Sequence, residues 1–162
     1  MKRMRAICLA LSLAVAAGAA AASDVPATVE IQSVDVALTA QGPVVLLKAR
    51  GRAIPIFVDE AIAASIHSAL TGEKFPRPLS HDLMKTILQA YAGKVTSVGI
   101  RLEGGVFLAE LRISVNGTKK VFDSRSSDAI ALAVRFKAPI VVSEELLDSA
   151  GKILPGSEGQ AL

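Results

Sequence analysis

Residues 128–136, Asp128-Ala129-Ile130-Ala131-Leu132-Ala133-Val134-Arg135-Phe136, are apolar on nearly every side when wound into a helix. Such a helix has no natural solvent face, so the rest of the chain must fold around it. The residues leading into it are of the opposite kind: Asp123-Ser124-Arg125-Ser126-Ser127 carries a carboxylate and an arginine, and Asp128 adds a second carboxylate. The charged first turn therefore sits where a core meets a surface. Carboxylates at such a boundary gain from the helix dipole and can act as metal ligands or acid/base groups; the same placement also makes an ordinary helix start.

A second polar turn, Pro76-Arg77-Pro78-Leu79-Ser80-His81-Asp82-Leu83, opens another helix upstream. Phosphodiester chemistry needs oxygens that hold a divalent metal or a base that activates water, together with a cation for the developing phosphorane charge. His81, Asp82, Asp123 and Asp128 supply the first requirement, as catalytic candidates, and Arg77 and Arg125 supply the second, as phosphate-binding candidates. Their spacing does not bring them together by itself. On residue types alone, Ser80 and Ser127 as caps, with Asp82 and Asp128 stabilising helix dipoles by about 0.3–1 kcal/mol each, is an equally complete account. No metal is specified by these residues, although a divalent ion would suit them. Ser126 and Ser127 lack a nucleophile elbow, and no Gly-rich phosphate cradle occurs. Glu144 and Glu145 read as helix-start charges, and His67 as an exposed helical residue.

The rest of the chain alternates strand and helix signals. Thr28–Leu38, Val44–Ala49 and Ala53–Val58 read as strands, rich in β-branched residues and separated by Gly42-Pro43 and Gly51. A helix from Glu60 places Ile62, Ile66, Ala69 and Leu70 on one face and stops at Gly72. A second, His81 to Tyr91, turns Leu83, Ile87 and Leu88 inward and closes at Gly93. Strands follow over Val95–Leu102, Val106–Val115 and Thr118–Phe122, with Asn116-Gly117 as a type I′ hairpin signal. After the apolar helix, Pro139 introduces a last strand, Ile140–Ser143. Three strands and a helix occur twice, with Glu60-Ala61-Ile62-Ala63 echoed by Asp128-Ala129-Ile130-Ala131. The expected fold is a single α+β domain over residues 28–151. A duplicated three-strand-plus-helix unit would form one mixed, barrel-like sheet with the helices packed on it, and residues 152–162 would trail as a flexible tail.

Lys2, Arg3 and Arg5 precede an apolar run from Ile7 and a small-residue stretch ending Ala20-Ala21-Ala22. Residues 1–22 read as a secretory signal peptide, too short and too alanine-rich for a stable membrane anchor. The expected product is exported, periplasmic or extracellular. Cleavage removes Cys8 and with it any disulfide, thiol nucleophile or cysteine zinc site. It also leaves 15 of the 18 basic residues against 15 acidic ones, so the mature chain is formally neutral. Broad electrostatic attraction to nucleic acid is thereby absent, and the basic residues that include Arg125 and Arg135 read as a solvated face. A homo-oligomer is admitted but not specified.

The two polar turns, with Ile54-Pro55-Ile56 before Glu60-Ala61, Ala138-Pro139-Ile140 and the closing Glu144-Glu145-Leu146-Leu147, resemble the bifunctional nuclease domain family over Val34 to Gly151. The resemblance implies DNase and RNase activity, and hence nucleic acid as partner. Ser124 and Ser126 stand where that family's second motif carries alanine and proline, so one φ restraint before the helix is missing. A nuclease is the leading reading. A non-catalytic exported module, binding a ligand or protein at the helix ends, is the alternative.

Overall fold

A computed structural model describes residues 27–153. Their order is β1 (Thr28–Glu30), β2 (Ser33–Thr39), β3 (Gly42–Ala49), β4 (Arg52–Phe57), α1 (Glu60–Thr71), α2 (Ser80–Ala90), β5 (Gly93–Glu103), β6 (Val106–Val115), β7 (Thr118–Arg125), α3 (Ser126–Phe136), β8 (Ile140–Ser143), α4 (Glu144–Ala150) and β9 (Lys152–Ile153). The α+β class is as expected, but the strands form two sheets rather than a barrel. One has the order β1-β8-β5-β6-β7 and the other β2-β3-β4-β9.

The first expected strand is where the barrel fails. Thr28–Leu38 breaks at Ile31-Gln32, because the Ile31 N–H donates to Ile140 O at 2.8 Å and the Gln32 N–H to Lys48 O at 2.8 Å. These carbonyls belong to different sheets, so the chain crosses from one to the other, and β1 pairs with β8 while β2 pairs with β3. Each half does contain an antiparallel meander followed by a helix. That order does not establish a duplicated unit, since α2 intervenes and β5 also pairs in parallel with β8. Residues 152–153, expected to begin the tail, pair with β4. The expected signal peptide and residues 154–162 lie outside the described residues.

One core joins the sheets. α3 packs on β5 and β6 and against α1, which packs on β2 and β3. Ala129, Ile130, Ala131, Leu132 and Ala133 are all buried, together with Val45, Leu47 and Ile54 of one sheet and Val98, Ile100 and Leu111 of the other. Truncating a core side chain such as Ile130 to alanine costs about 2–5 kcal/mol. Asn116 and Gly117 take φ of 49° and 81°, the type I′ geometry that their sequence demands. α2 differs from expectation. Leu83 and Ile87 are 55% and 49% exposed, and its one buried residue is His81. Among the described residues no helix is long and apolar enough to cross a membrane.

Candidate functional site

The two polar turns converge. α3 begins at Ser126, with Arg125 as its extended N-cap residue, so Ser127 is not the cap. Position Ser126, where the related motif has proline, is the first helical residue; there proline contributes only its preset φ, because the N–H has no helical partner anyway. The turn is tied instead by a bidentate ion pair: Arg125 Nε donates to Asp128 Oδ2 at 2.7 Å and Nη2 to Oδ1 at 3.0 Å. α2 is capped in reverse. Leu79, not Ser80, precedes its first turn, and the Leu79 N–H donates to Asp82 Oδ2 at 3.0 Å. That half of a capping box leaves Asp82 Oδ1 free for another donor.

The donor comes from inside the protein. Arg135, on the apolar helix, has a side chain only 3% exposed, and its Nε donates to Asp82 Oδ1 at 2.7 Å. Its Nη1 donates to Ala131 O at 3.1 Å, and Nη2 to both the carbonyl and the hydroxyl of Ser65 on α1, each at 3.0 Å. Ser65 Oγ also lies 2.9 Å from His81 Nδ1. The ionised Asp128 carboxylate can only accept, so His81 Nε2, 3.4 Å from its Oδ1, is assigned the ring proton, and Nδ1 accepts from the Ser65 hydroxyl, which itself accepts from Arg135. A continuous chain, Asp82–Arg135–Ser65–His81–Asp128–Arg125, joins three helices, with Arg135, Ser65 and His81 buried between two solvent-reached ends.

Charge state follows from this packing. Burial, with the neighbouring Arg135 charge, holds the His81 imidazole below its ordinary pKa despite Asp128 and Asp82 nearby. Burial works against ionisation of Asp82 and Asp128, but their arginine partners outweigh it and hold both carboxyls below the usual range. His81 is therefore neutral, and both carboxylates are ionised, at neutral pH. Ser65, His81 and Asp128 have the members of a hydrolytic triad in the wrong arrangement. Ser65 is 2% exposed and engaged by Arg135, whereas the solvent-facing end is the carboxylate.

Asp123 and Arg77 stand apart from this chain. Asp123, on β7, faces Arg101 Nη2 at 3.5 Å across the sheet, and Arg77 makes no ion pair or side-chain hydrogen bond among the described residues. Arg135, expected on a solvated face, is buried, and Ser65 carried no sequence signal beyond a serine in a helix. The one available clue was Arg135 itself, a charge inside an otherwise apolar helix, which must find partners if buried. No group of three or more His, Cys, Asp or Glu side chains converges among the described residues as a metal site would require. Both site carboxylates are already matched by arginine, so these residues do not form a ready-made metal cage.

The Arg125 end gives onto a cleft of about 490 Å³ beside α3's first turn, walled by Pro55 and Phe57 of β4, Asp59 at the start of α1, Val106 and Phe107 of β6, and Arg125. Of the ion pair, Arg125, 68% exposed, lines this cleft with Ser126 and Ser127, and Asp128, 26% exposed, is held behind it by the arginine.

A two-sheet α+β domain with an Arg–Asp–His cluster at the start of its central helix is the class of protein these observations define. Residues 44–154 match the model of the bifunctional nuclease domain, and the chain belongs to that family. It is 39% identical over 116 residues to an uncharacterized protein of Mycobacterium tuberculosis, covering 70% of this chain and 69% of that one. It is also 35% identical over 106 residues to Bifunctional nuclease 2 of Arabidopsis thaliana, and 32% over 117 residues to Bifunctional nuclease 1. Those matches cover 62% and 67% of this chain but only 32% and 36% of the plant proteins.

Proposed function

We propose that this protein is an exported nuclease that hydrolyses phosphodiester bonds of DNA, RNA or both. The observation that carries the reading is the His81–Asp128 pair held by Arg125, which itself lines a cleft, in a chain whose plant relatives bear the name bifunctional nuclease. Asp128 would orient a water and take its proton as the oxygen attacks phosphorus and the bond to the leaving oxygen breaks, the departing oxygen taking a proton from solvent. His81, both nitrogens engaged, touches no substrate and holds Asp128 in place. Arg125 uses Nε and Nη2 on Asp128, which leaves Nη1 for a phosphate oxygen. Phe57, 59% exposed on the cleft wall, offers a face for one base. Asp82 and Arg135 act only as the scaffold behind His81.

The alternative, a binding module, draws on one observation: every polar atom of the chain behind Asp128 is satisfied, as a purely structural hub would be. One experiment separates them. Protein recovered from outside the cytoplasm should begin near Ser23 by mass spectrometry, and should cleave labelled DNA or RNA in assays with Mg²⁺, Mn²⁺ or chelator. Asp128→Asn keeps an acceptor for His81 and should lower turnover at least about a hundredfold with little change in melting temperature. Wild-type turnover by the folded variant removes Asp128 from the chemistry; an inactive parent that is well folded leaves the binding module; a product still starting at Met1 ends the export claim.

A further inference from the structure

β7 is the outermost strand of its sheet, paired with β6 on one side only. It runs eight residues without proline, and all of them except Ser124 are exposed. Even-numbered residues Thr118, Lys120 and Phe122 face inward, where with Leu88, Ile113 and Val115 they line an apolar hollow of about 330 Å³. Lys119, Val121 and Asp123 face the other way, Asp123 toward Arg101. α2, which supplies Leu88 to the hollow, leaves Ile87 49% and Tyr91 70% exposed, and Phe122 on β7 is 47% exposed. An open strand edge beside large exposed apolar side chains is a surface made for another strand.

We infer that this edge pairs with a second copy of the same chain, β7 against β7, antiparallel about a two-fold axis at Val121. Symmetry restricts the choice of register. In an antiparallel pair, opposed side chains share a face, so a two-fold axis must pass through a residue and pair its neighbours outward. With the axis at Lys120, that lysine meets itself; at Asp123, two aspartates meet; at Phe122, Lys119 meets Arg125 twice. With the axis at Val121, residues 118–124 pair with themselves in reverse. Lys119 then faces Asp123 of the partner subunit, twice by symmetry, around a central Val121 pair. On the inner face Lys120 lies over Phe122 of the partner subunit, an arrangement that suits a cation and a ring. Among the registers that overlap by five residues or more, this one alone brings opposite charges together and no like ones.

The pairing also has a consequence for the cleft. It sets Arg125 opposite Gly117 of the partner subunit, so the partner's β6–β7 turn borders the start of α3. The inference goes beyond nuclease activity and stands without it.

Sedimentation equilibrium on the purified protein should show a dimer. Lys119→Glu, an exposed substitution that leaves the circular dichroism unchanged, should weaken it roughly tenfold by setting like charges opposite each other twice. Asp123→Lys should do the same, and the double exchange K119E/D123K should restore wild-type association. Val121→Cys in a Cys8→Ser background should crosslink to itself under mild oxidation, because directly opposed residues place their Cα atoms at about 4.5–5.5 Å, within disulfide range. Lys119→Cys should not. A monomer at every concentration, a dimer indifferent to Lys119→Glu, a double exchange that fails to restore it, or mass gained only when DNA or RNA is added each overturns the proposal.

Discussion

Two arginine–carboxylate pairs flank His81, and they differ in almost everything but chemistry. Arg135–Asp82 closes one end, with the arginine side chain 3% exposed and all of its nitrogens engaged while Asp82 is 41% exposed. Arg125–Asp128 closes the other, with the arginine 68% exposed and one nitrogen free. Desolvation makes the first pair structurally demanding on one side, because removing Asp82 strands the buried Arg135 charge, whereas Asp82 itself is 41% exposed. Solvent screens the second, so its strength as a stabiliser is small and its groups remain free to exchange partners. The same side-chain types thus enclose a buried cation in one place and meet solvent beside a cleft in the other.

The sharpest way to break this contrast is Arg135→Met, which keeps an apolar stem in the core while removing every donor. It removes the hydrogen bonds to Asp82, Ala131 O and Ser65, while water still reaches the 41% exposed Asp82 side chain and Ser68 Oγ still donates to Ser65 O, and it should cost about 1–3 kcal/mol in chemical denaturation. A loss under about 1 kcal/mol would show that Arg135 is not what holds the helices together.

Acid should act next in size, through His81. Its folded-state pKa lies below the unfolded value of about 6.5, so between the two the unfolded chain binds the proton and the folded chain does not. Stability is therefore full above about pH 6.5 and falls below it, by up to about 1.4 kcal/mol per pH unit, until the folded imidazole itself titrates. Asp82 and Asp128, with lowered pKa values, add a further loss only below about pH 4, where the unfolded carboxyls take up protons first. Denaturation midpoints measured from pH 8 to 5 should show the first slope, and His81→Gln should abolish it; an unchanged slope in that variant assigns the effect elsewhere.

Arg125→Gln completes the contrast and should scarcely move the melting temperature, since the residue is solvent-exposed. Its effect should be on phosphate binding, read as a raised KM for cleavage with the fold intact. Destabilisation as large as that of Arg135→Met would erase the distinction between the two ends.

Local signals carried much of the fold. The Asn116-Gly117 turn, the stop at Gly72 and the wholly apolar run at 129–134 required no partner to be recognised, because φ preference and hydrophobic periodicity act over a few residues. The same is true of the resemblance that led to the nuclease family, which rests on short contiguous motifs. Cap positions were less legible: Leu79 and Arg125 begin the helices where Ser80 and Ser127 looked better suited, since the side chains that tie those turns, Asp82 and Asp128, lie three residues further on.

What only the tertiary structure decided was where each strand found its partner and which charges were buried. Ile31 and Gln32 look like the middle of one strand until Ile140 and Lys48 draw their amides into two different sheets. Leu83 and Ile87 read as inward-facing, yet the helix buries His81 instead, because the ring is held between Ser65 and Asp128. Asp123 and Asp128 are five residues apart and part company, while Ser65 and Arg135 are seventy apart and meet at 3.0 Å. Sequence by itself determined the elements and the presence of reactive groups, through interactions local along the chain. Their pairing depended on burial and hydrogen-bond satisfaction between distant segments, and no spacing in the sequence records either.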